Sequence, residues 1–237
     1  MDMIVFNGTS SDDLNLIVEQ YPEPTYPKRR NAKFTIQGRS GTFYAESGEF
    51  ENVDQLYNVY LSADPGNVQE YAAKVGAWLC GPKGYCRLED SYTPETYRMA
   101  MFMGPLNIEN TLNSFGRAKL EFECLPFRYL KSGDFAFSCA SGESITNPTA
   151  FDAYPLLILS GTGAGSVTAA GITISISEIG GKMLIDCETM DAYSEDGANK
   201  NSAISAVKFP ILTPGENSLT YSGGVTSLQV KPRWRTV

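Results

Sequence analysis

Most of the chain alternates apolar and polar residues with a period of two, and glycine, proline, asparagine and aspartate interrupt the alternation at short intervals. GITISIS is the clearest example, because Ile172, Ile174 and Ile176 fall on one side of an extended backbone. Successive side chains of a β-strand point to opposite faces, so this pattern indicates strands with one buried face. Short strands separated by frequent turn residues are typical of a mainly β protein, which is the fold class that we expect.

One segment has helical spacing instead. From residue 67 to residue 81 the chain reads NVQEYAAKVGAWLCG, and its apolar residues recur on one helical face. They are Val68, Tyr71, Ala72, Val75, Trp78 and Leu79. Asn67 is in position to cap the helix, with Glu70 three residues later to reach back, and Gly81 and Pro82 are residues that end helices. The sequence predicts one amphipathic helix, followed by a turn and a new strand.

The five cysteines show no metal-binding or redox spacing. Their number is odd, and Cys80 and Cys86 flank the glycine-rich turn GPKG without the C-x-x-C spacing of zinc and thioredoxin sites. Cys124 falls on the apolar face of the alternating stretch RAKLEFEC, and Cys187 ends the stretch KMLIDC. Cys139 is the fifth. Buried free cysteine behaves as a small hydrophobic residue, so we predict five structural thiols, no metal site and no cofactor.

The chain contains no histidine. Its absence excludes Ser-His-Asp and Cys-His hydrolases and HExxH metalloproteases, and it leaves carboxylate chemistry, lysine chemistry or no chemistry. Paired carboxylates, as in glycosidases, are the enzymatic option that we consider. Three pairs are candidates, namely Glu89 with Asp90, Asp186 with Glu188, and Glu195 with Asp196. Adjacent acids on a strand point to opposite faces, and none of the pairs lies in a stretch that indicates a cleft. We therefore predict no catalytic residues and no enzymatic activity.

The net charge of −8 disfavours a protein that binds nucleic acid through its phosphates. The basic run PKRRNAK, residues 27–33, favours a solvated loop or a protein contact. DAYSEDGANKN lacks the ligand pattern of an EF-hand and is interpreted as a polar hairpin loop. No apolar run reaches the length of a membrane span, and the first residues lack the features of a signal peptide, so we expect synthesis in a reducing cytoplasm and no membrane contact.

A change in composition divides the chain. Between residues 130 and 151 the strong alternation gives way to serine, glycine and threonine, and a second series of short strand patterns follows. We predict two domains, residues 1–140 and residues 141–237, the second a β-sandwich that folds alone from about residue 145.

Several stretches, in order, resemble the distal tail proteins (Dit) of long-tailed siphophages that infect Gram-positive bacteria. In the first half they are FNGTSSDDLNLIVE, YPKRR, IQGRSGTF, YNVYL, WLCGPKGYCRLEDSY and GPLNIENTLNSFGRAKLEFECLPFRYLKSG. In the second half they are TNPTAFDAYPLLILSG, IDCETMDAY, FPILTPGEN and VTSLQVKPRW. Each stretch is weak by itself, and their order over nearly the whole chain carries the resemblance. The family has no active-site motif to transfer.

The resemblance implies a structural virion protein at the distal end of a phage tail. Residues 1–140 would form a tail-tube-like β-sandwich or barrel that assembles as a hexameric ring. The ring would connect the tail-tube protein to the tail tip and its tail-associated lysin. Residues 141–237 would form a galectin-like, jelly-roll β-sandwich and a mount for receptor-binding proteins. A half-covered sheet with exposed edges in the first domain would favour such a ring, because unpaired strand edges recruit other chains.

Two other functions stay open from the residues. A galectin-like sandwich that presents some of the 13 tyrosines and 12 phenylalanines would make the chain a carbohydrate-binding module for cell-wall polysaccharide. Catalysis by Asp186 and Glu188 would make it a glycan-cleaving enzyme.

Overall fold

A computed structural model describes residues 2–62, 67–111 and 115–237. Contacts divide the chain into two compact units, Met1–Arg128 with Val237, and Tyr129–Thr236. Strands form most of both units, and the described residues contain one α-helix. The expected mainly β class is confirmed.

The described residues of the first unit form ten strands and the helix. The strands are β1 (Ile4–Phe6), β2 (Thr9–Ser10), β3 (Leu16–Val18), β4 (Arg29–Phe34), β5 (Phe43–Phe50), β6 (Val53–Ser62), β7 (Cys86–Asp90), β8 (Thr96–Phe102), β9 (Glu109–Thr111) and β10 (Phe115–Leu130). The helix α1 spans Val68–Cys80, between β6 and β7. A short 3-10 helix, Asp12–Leu14, precedes β3.

The main sheet of this unit curls until its ends meet. Its strand order is β2-β1-β7-β8-β10-β6-β3, with β9 beside the start of β10. The backbone N–H of Leu16 donates to the carbonyl of Ser11 (3.0 Å), and that of Val18 donates to the carbonyl of Asp2 (3.4 Å). These bonds join β3 to the other end of the path. The exposed edges that the sequence led us to expect are therefore not at the ends of this sheet.

An aromatic cluster fills the interior of the curled sheet. The ring centroid of Phe122 lies 5.1 Å from that of Phe6, 5.6 Å from that of Phe102 and 6.0 Å from that of Tyr57. The indole N–H of Trp78 donates to the carbonyl of Phe6 (3.0 Å), which fixes α1 against β1. The alternation of β6 and β10 places Tyr57 and Phe122 on the inner face.

The predicted helix is confirmed at its predicted position, but the predicted N-terminal cap is not. Val68, Val75, Trp78 and Leu79 are buried, and the other two residues of the predicted apolar face pack partly buried against the same core. Asn67 makes no side-chain cap. Glu70 forms an ion pair with Lys74 instead of reaching back to Asn67, so the predicted capping box is wrong.

The second unit contains nine strands. They are β11 (Phe137–Cys139), β12 (Ser144–Asn147), β13 (Leu156–Ala169), β14 (Ile172–Ile176), β15 (Gly181–Asp186), β16 (Asp191–Ser194), β17 (Ile204–Ser205), β18 (Gly215–Lys231) and β19 (Arg235–Thr236). The order of the central path is β11-β18-β13-β14-β17. β12 pairs with β18, and β15 pairs with β13 and β16. The interior holds Ile174 and Ile176, two of the three isoleucines expected on one face, and Ile172 is half-buried.

Two long strands organise this unit, and glycines allow them to change register. β13 pairs with β15 over residues 156–161 and with β14 over residues 165–169, while β18 accompanies it along both halves. The register shifts between these halves, where Gly161 and Gly224 bring the backbones together. A Cβ at Gly224 would lie 1.8 Å from the carbonyl oxygen of Thr162, so only glycine fits there.

The division by contacts falls earlier in the chain than residue 140. β11 pairs with residues 228–230 of β18, and Cys139 is buried in the core of the second unit. A fragment that keeps this unit intact therefore begins near Tyr129. The ring-forming role of residues 1–140 and the galectin-like character of residues 141–237 stay predictions. In the described ranges, no helix is long and apolar enough to cross a membrane.

Candidate assembly surface

The hairpin formed by β4 and β5, residues 29–50, is an arm with unpaired edges. In the part of the chain that the structure describes, these strands pair only with each other. The turn between the two strands contains the residues GRSG, 38–41. A two-stranded hairpin alone is marginally stable in water, and each free edge is a template for another strand. The arm is therefore a part of the first unit with strand edges that are open to pairing.

Large apolar side chains of the arm face solvent. Phe34 and Tyr44 are 53% and 54% exposed, although the two form part of a regular strand pair. Ile36 and Phe43 are exposed as well. Exposed apolar groups that are adjacent along a hairpin mark surfaces that other molecules cover. The arm thus combines an apolar surface with unused backbone hydrogen-bonding groups.

The arm also differs in charge from the rest of the chain. It carries four basic and two acidic residues, a net charge of +2. The whole chain has a net charge of −8, so the residues outside the arm have a net charge of −10. Its cations lie over its own rings: the guanidinium of Arg29 is 5.1 Å from the ring centroid of Phe50, and that of Arg39 is 4.5 Å from that of Phe43. A basic, apolar arm on an acidic protein is electrostatically suited to another copy of the same chain.

The base of the arm is held to the curled sheet. The hydroxyl of Thr25 donates to the side-chain carbonyl of Gln55 (2.9 Å), and the guanidinium of Arg98 donates to the backbone carbonyl of Thr25 (2.8 Å). On the other side of the hairpin, the ring of Phe50 packs edge-on to that of Phe127 at 5.7 Å. The chain is thus held to the sheet shortly before the arm begins and where the arm ends.

Each predicted carboxylate pair is engaged in structural contacts. Glu89 pairs with Arg87, whereas Asp90 accepts hydrogen bonds from the hydroxyl of Tyr57 and the backbone N–H of Thr93. The two adjacent acids thus use different partners, as their positions on one strand predicted.

Glu195 and Asp196 also have separate partners. Glu195 pairs with Lys182 at 2.6 Å, and Asp196 accepts from the hydroxyl of Ser194. That hydrogen bond lowers the pKa of Asp196.

Asp186 and Glu188 do lie together, around one arginine. Arg233 donates to both carboxylate oxygens of Asp186 (2.7 and 2.8 Å), and its guanidinium is 3.3 Å from Glu188. Burial raises the pKa of Asp186, but hydrogen bonds from Arg233 and from the backbone N–H of Glu188 outweigh it, so the pKa is lowered overall. A carboxylate stabilised in this way is a poor general acid, and the arrangement is that of a structural ion pair.

The thiols are free and unequal in exposure. Cys124, Cys139 and Cys187 are buried, and burial raises the pKa of Cys124 and of Cys187 to about 12. These three fit the predicted packing role. Cys80 is exposed and Cys86 is half-buried, so packing explains less of their presence at the GPKG turn.

The stretch DAYSEDGANKN is a polar loop closed by its own side chains, as interpreted from the sequence. The amide of Asn201 donates to Asp191 (2.9 Å), and its carbonyl oxygen accepts from the backbone N–H of Ala192. Within the described ranges, no group of three or more acids and cysteines could hold a metal ion.

The fold can be compared with known proteins at this point. No protein-family model matches the chain, and no curated protein matches it. The structure of the Dit protein of phage SPP1, described as a paradigm of the hub adsorption apparatus in phages that infect Gram-positive bacteria, superposes with a TM-score of 0.78. The match covers 100% of both chains, at 11% sequence identity. The chain has the fold of a phage Dit protein.

Two structures of the phage P2 baseplate are similar to the chain at lower TM-scores. Both show the baseplate in its activated conformation, with Ca and with Sr. The TM-scores are 0.55 and 0.52, the identities are 9% and 10%, and each match covers 97% of this chain and 96% or 97% of the other. The similar structures are thus components of phage tail hubs and baseplates.

The sequence pattern does not reveal that the hairpin stands apart from the main sheet. The available signals were the basic run at 27–33 in an acidic chain and the large apolar residues at positions 34, 36, 43 and 44. Both signals are also compatible with a hairpin at the edge of a larger sheet, because the sequence pattern does not tell which other strands a hairpin pairs with.

Proposed function

We propose that the chain is a structural virion protein of a long, non-contractile phage tail, a member of the Dit family. It forms a hexameric hub ring that connects the tail tube to the tail tip and the adhesion apparatus. The observation that carries this proposal is the match to the SPP1 Dit over the full length of both chains, since a shared domain alone would leave one unit unmatched. The number six comes from the resemblance to the family.

The arm supports a ring of identical copies. Its free edges and its exposed Phe34 and Tyr44 require a partner, and its charge of +2 complements the acidic remainder of the chain. An interface between different patches of the same protein is head-to-tail, and it closes into a ring when the rotation between copies allows. The ring-forming domain is proposed to lie within residues 1–140, as the first unit, Met1–Arg128. The acidic character of the chain would keep DNA from adhering as it passes through the ring.

The second unit is proposed as a galectin-like sandwich that carries receptor-binding proteins. Both tryptophans, Trp78 and Trp234, are buried, so the most frequent stacking platform for a sugar is not presented. Among the exposed large side chains of this unit are Phe135 and Phe137. We propose protein attachment as its role and no catalytic activity for either unit.

The test is the assembly state of the full chain. Light scattering coupled to size exclusion, with negative-stain imaging, should show a ring with a central hole, for the protein alone or mixed with tail-tube subunits. Phe34→Asp combined with Tyr44→Asp should abolish the ring and leave the thermal unfolding of the monomer within about 2 °C of the parent, because both side chains are exposed.

A matched control separates this effect from a general loss of apolar surface. Phe135 is 68% exposed and lies in the second unit, so Phe135→Asp should still form the ring. Failure to see a ring with or without tail-tube subunits would refute the proposal. Binding of the full chain to a glycan array, in the absence of a ring, would favour a carbohydrate-binding module instead.

A further inference from the structure

Besides the arm, a second surface of the first unit is open, namely the outer face of the strands β6 and β10. The two strands pair antiparallel at ten positions, residues 53–62 against residues 115–124. Alternate residues of each strand fill the interior, and the residues between them face outward. Tyr60 and Arg117 form one outward pair, and Phe115, at the end of this face, is 50% exposed.

A groove runs along this outer face. Three adjoining depressions have volumes of about 190, 390 and 500 Å³. The first and second share Asn58 and Lys119, and the second and third share Arg117, so together they form one groove. Residues of the segment 19–25 line the groove on the β6 side, and Glu109 of β9 lines it on the β10 side. The groove therefore has a floor two strands wide and a wall on either side.

The groove and the strand positions in line with it form an acidic face. It carries six acids and two bases, a net charge of −4; the acids are Glu19, Glu23, Asp54, Glu109, Glu121 and Glu123, and the bases are Arg117 and Lys119. Asp54 and Glu123 lie directly opposite each other, a position in which like charges destabilise a strand pair. Hydrogen bonds from Tyr85 and then from Asn52 lower the pKa of Glu123, so it is charged at neutral pH. Within the described ranges, neither Asp54 nor Glu121 has an ion-pair partner.

The arm, residues 29–50, matches the acidic face in charge, width and length. Its net charge is +2, and Lys33 and Arg39 have no acidic partner among the side chains that the structure describes. The arm has two strands, as the floor of the groove has, and strand layers stack about 10 Å apart. β5 has 8 residues and the face has ten positions, so they extend about 26 Å and about 33 Å.

The arm does not cover the acidic face of its own chain. Phe34 and Tyr44 remain exposed on the arm, and Phe115 remains exposed on the acidic face. In the described residues the strands of the arm pair only with each other. One chain therefore presents two different open surfaces of opposite charge, which is the arrangement of a head-to-tail contact.

We propose that the acidic face of each copy receives the arm of the next copy, which lies along the groove with Lys33 and Arg39 towards Asp54 and Glu121. The partner is a second copy of this chain, because the same chain carries both the cationic arm and the acidic face, as every position in a closed ring of identical copies requires. This inference rests on the ring proposed above and names the surface that receives the arm.

Reversal of charge on the two surfaces of the full chain tests the contact. Lys33→Glu combined with Arg39→Glu should abolish the ring, and Asp54→Lys combined with Glu121→Lys should abolish it as well. The four substitutions together should restore the ring, because the attraction returns with its signs exchanged. All four side chains are exposed, so the thermal unfolding of each monomer should stay within about 2 °C of the parent.

The control is Lys83→Glu combined with Lys208→Glu. It changes the net charge by as much as the arm variant, at exposed positions outside both surfaces, and should leave the ring intact. Light scattering coupled to size exclusion measures assembly under the conditions in which the parent forms the ring. A ring that survives reversal of Asp54 and Glu121, or one that the four substitutions do not restore, overturns this inference and leaves the ring itself standing. Absence of a ring in the parent overturns both.

A second measurement locates the arm without any substitution. A carbodiimide joins a lysine amine to a carboxylate when the two are in contact, and mixing isotopically labelled with unlabelled copies identifies links between chains by their mass. The assembled parent should give a link from Lys33 to an acid of the acidic face on another copy, and this result decides the matter if the variants do not fold. Links from Lys33 only to acids elsewhere on the other copy, or no link between copies, would overturn the inference.

Discussion

The ion pair between Asp186 and Arg233 offers a sharp test of whether the second unit uses its carboxylates for structure or for chemistry. Asp186 ends β15, and Arg233 follows β18, so the pair ties together two segments that are 47 residues apart. The side chains are 9% and 20% exposed, and both carboxylate oxygens accept from the guanidinium. We predict that Arg233→Met destabilises the second unit strongly.

The magnitude follows from what each substitution leaves behind. Removing one partner of a buried ion pair costs about 3–5 kcal/mol, and the partial exposure of Arg233 reduces this to about 2–4 kcal/mol. Asp186→Asn keeps the shape of the side chain and an oxygen that can accept from the backbone N–H groups of Glu188 and Thr189, so it should cost about 1–3 kcal/mol. The double variant should cost less than the sum of the two.

The pair also sets the response to acid. The folded-state pKa of Asp186 is lowered, so its contribution to stability is fully present above its unfolded pKa of about 3.9 and is lost as the pH falls through the folded value. The stability that Asp186 provides should therefore be constant between pH 7 and pH 5 and should decline below about pH 4. Asp186→Asn should lack this part of the decline.

Urea unfolding monitored by fluorescence at pH 7 and across the acid range measures both effects. Lys182→Met is the matched control, because Lys182 pairs with Glu195 at the surface, where the side chains are 39% and 69% exposed. It should cost no more than about 1 kcal/mol. The reasoning is refuted if the loss of unfolding free energy in Arg233→Met exceeds the loss in Lys182→Met by less than about 1 kcal/mol. A glycan-cleavage activity that disappears in Asp186→Asn would show that the pair is catalytic.

Three further predictions concern the cores and the thiols. Phe122→Ala removes the central ring of the aromatic cluster and should destabilise the first unit by about 3–5 kcal/mol in urea unfolding; a cost below about 1 kcal/mol would contradict the packing described. Gly224→Ala should prevent the register shift between β13 and β18 and lower the melting temperature by more than about 8 °C, and a variant that melts with the parent would contradict the close approach. Replacing Cys80 and Cys86 by serine or alanine should leave assembly intact, and stoichiometric zinc in elemental analysis of the parent would overturn the assignment of structural thiols.

The local elements of this protein could be predicted from the sequence alone. The helix lies at Val68–Cys80 as its spacing indicated, and GITISIS and RAKLEFEC are strands with the expected inner faces. These predictions succeed because burial of one face imposes a period of 3.6 or 2 on residues that are near in sequence. The prediction of the helix cap failed, because Glu70 pairs with Lys74 one turn later in the helix. The sequence pattern does not tell which of the two contacts, with Asn67 or with Lys74, is the more favourable.

The contacts that matter for function depend on residues that are distant in sequence. The composition and the alternation do not reveal that the 29–50 hairpin stands apart, that Arg233 lies between Asp186 and Glu188, or that Arg98 reaches Thr25 over a separation of 73 residues. Periodicity fixes which face of a strand is buried, but strand order and register decide which side chains meet on that face. The tertiary structure therefore decided that the acids are paired and that the arm is exposed, whereas the sequence by itself determined the mainly β character and the position of the helix.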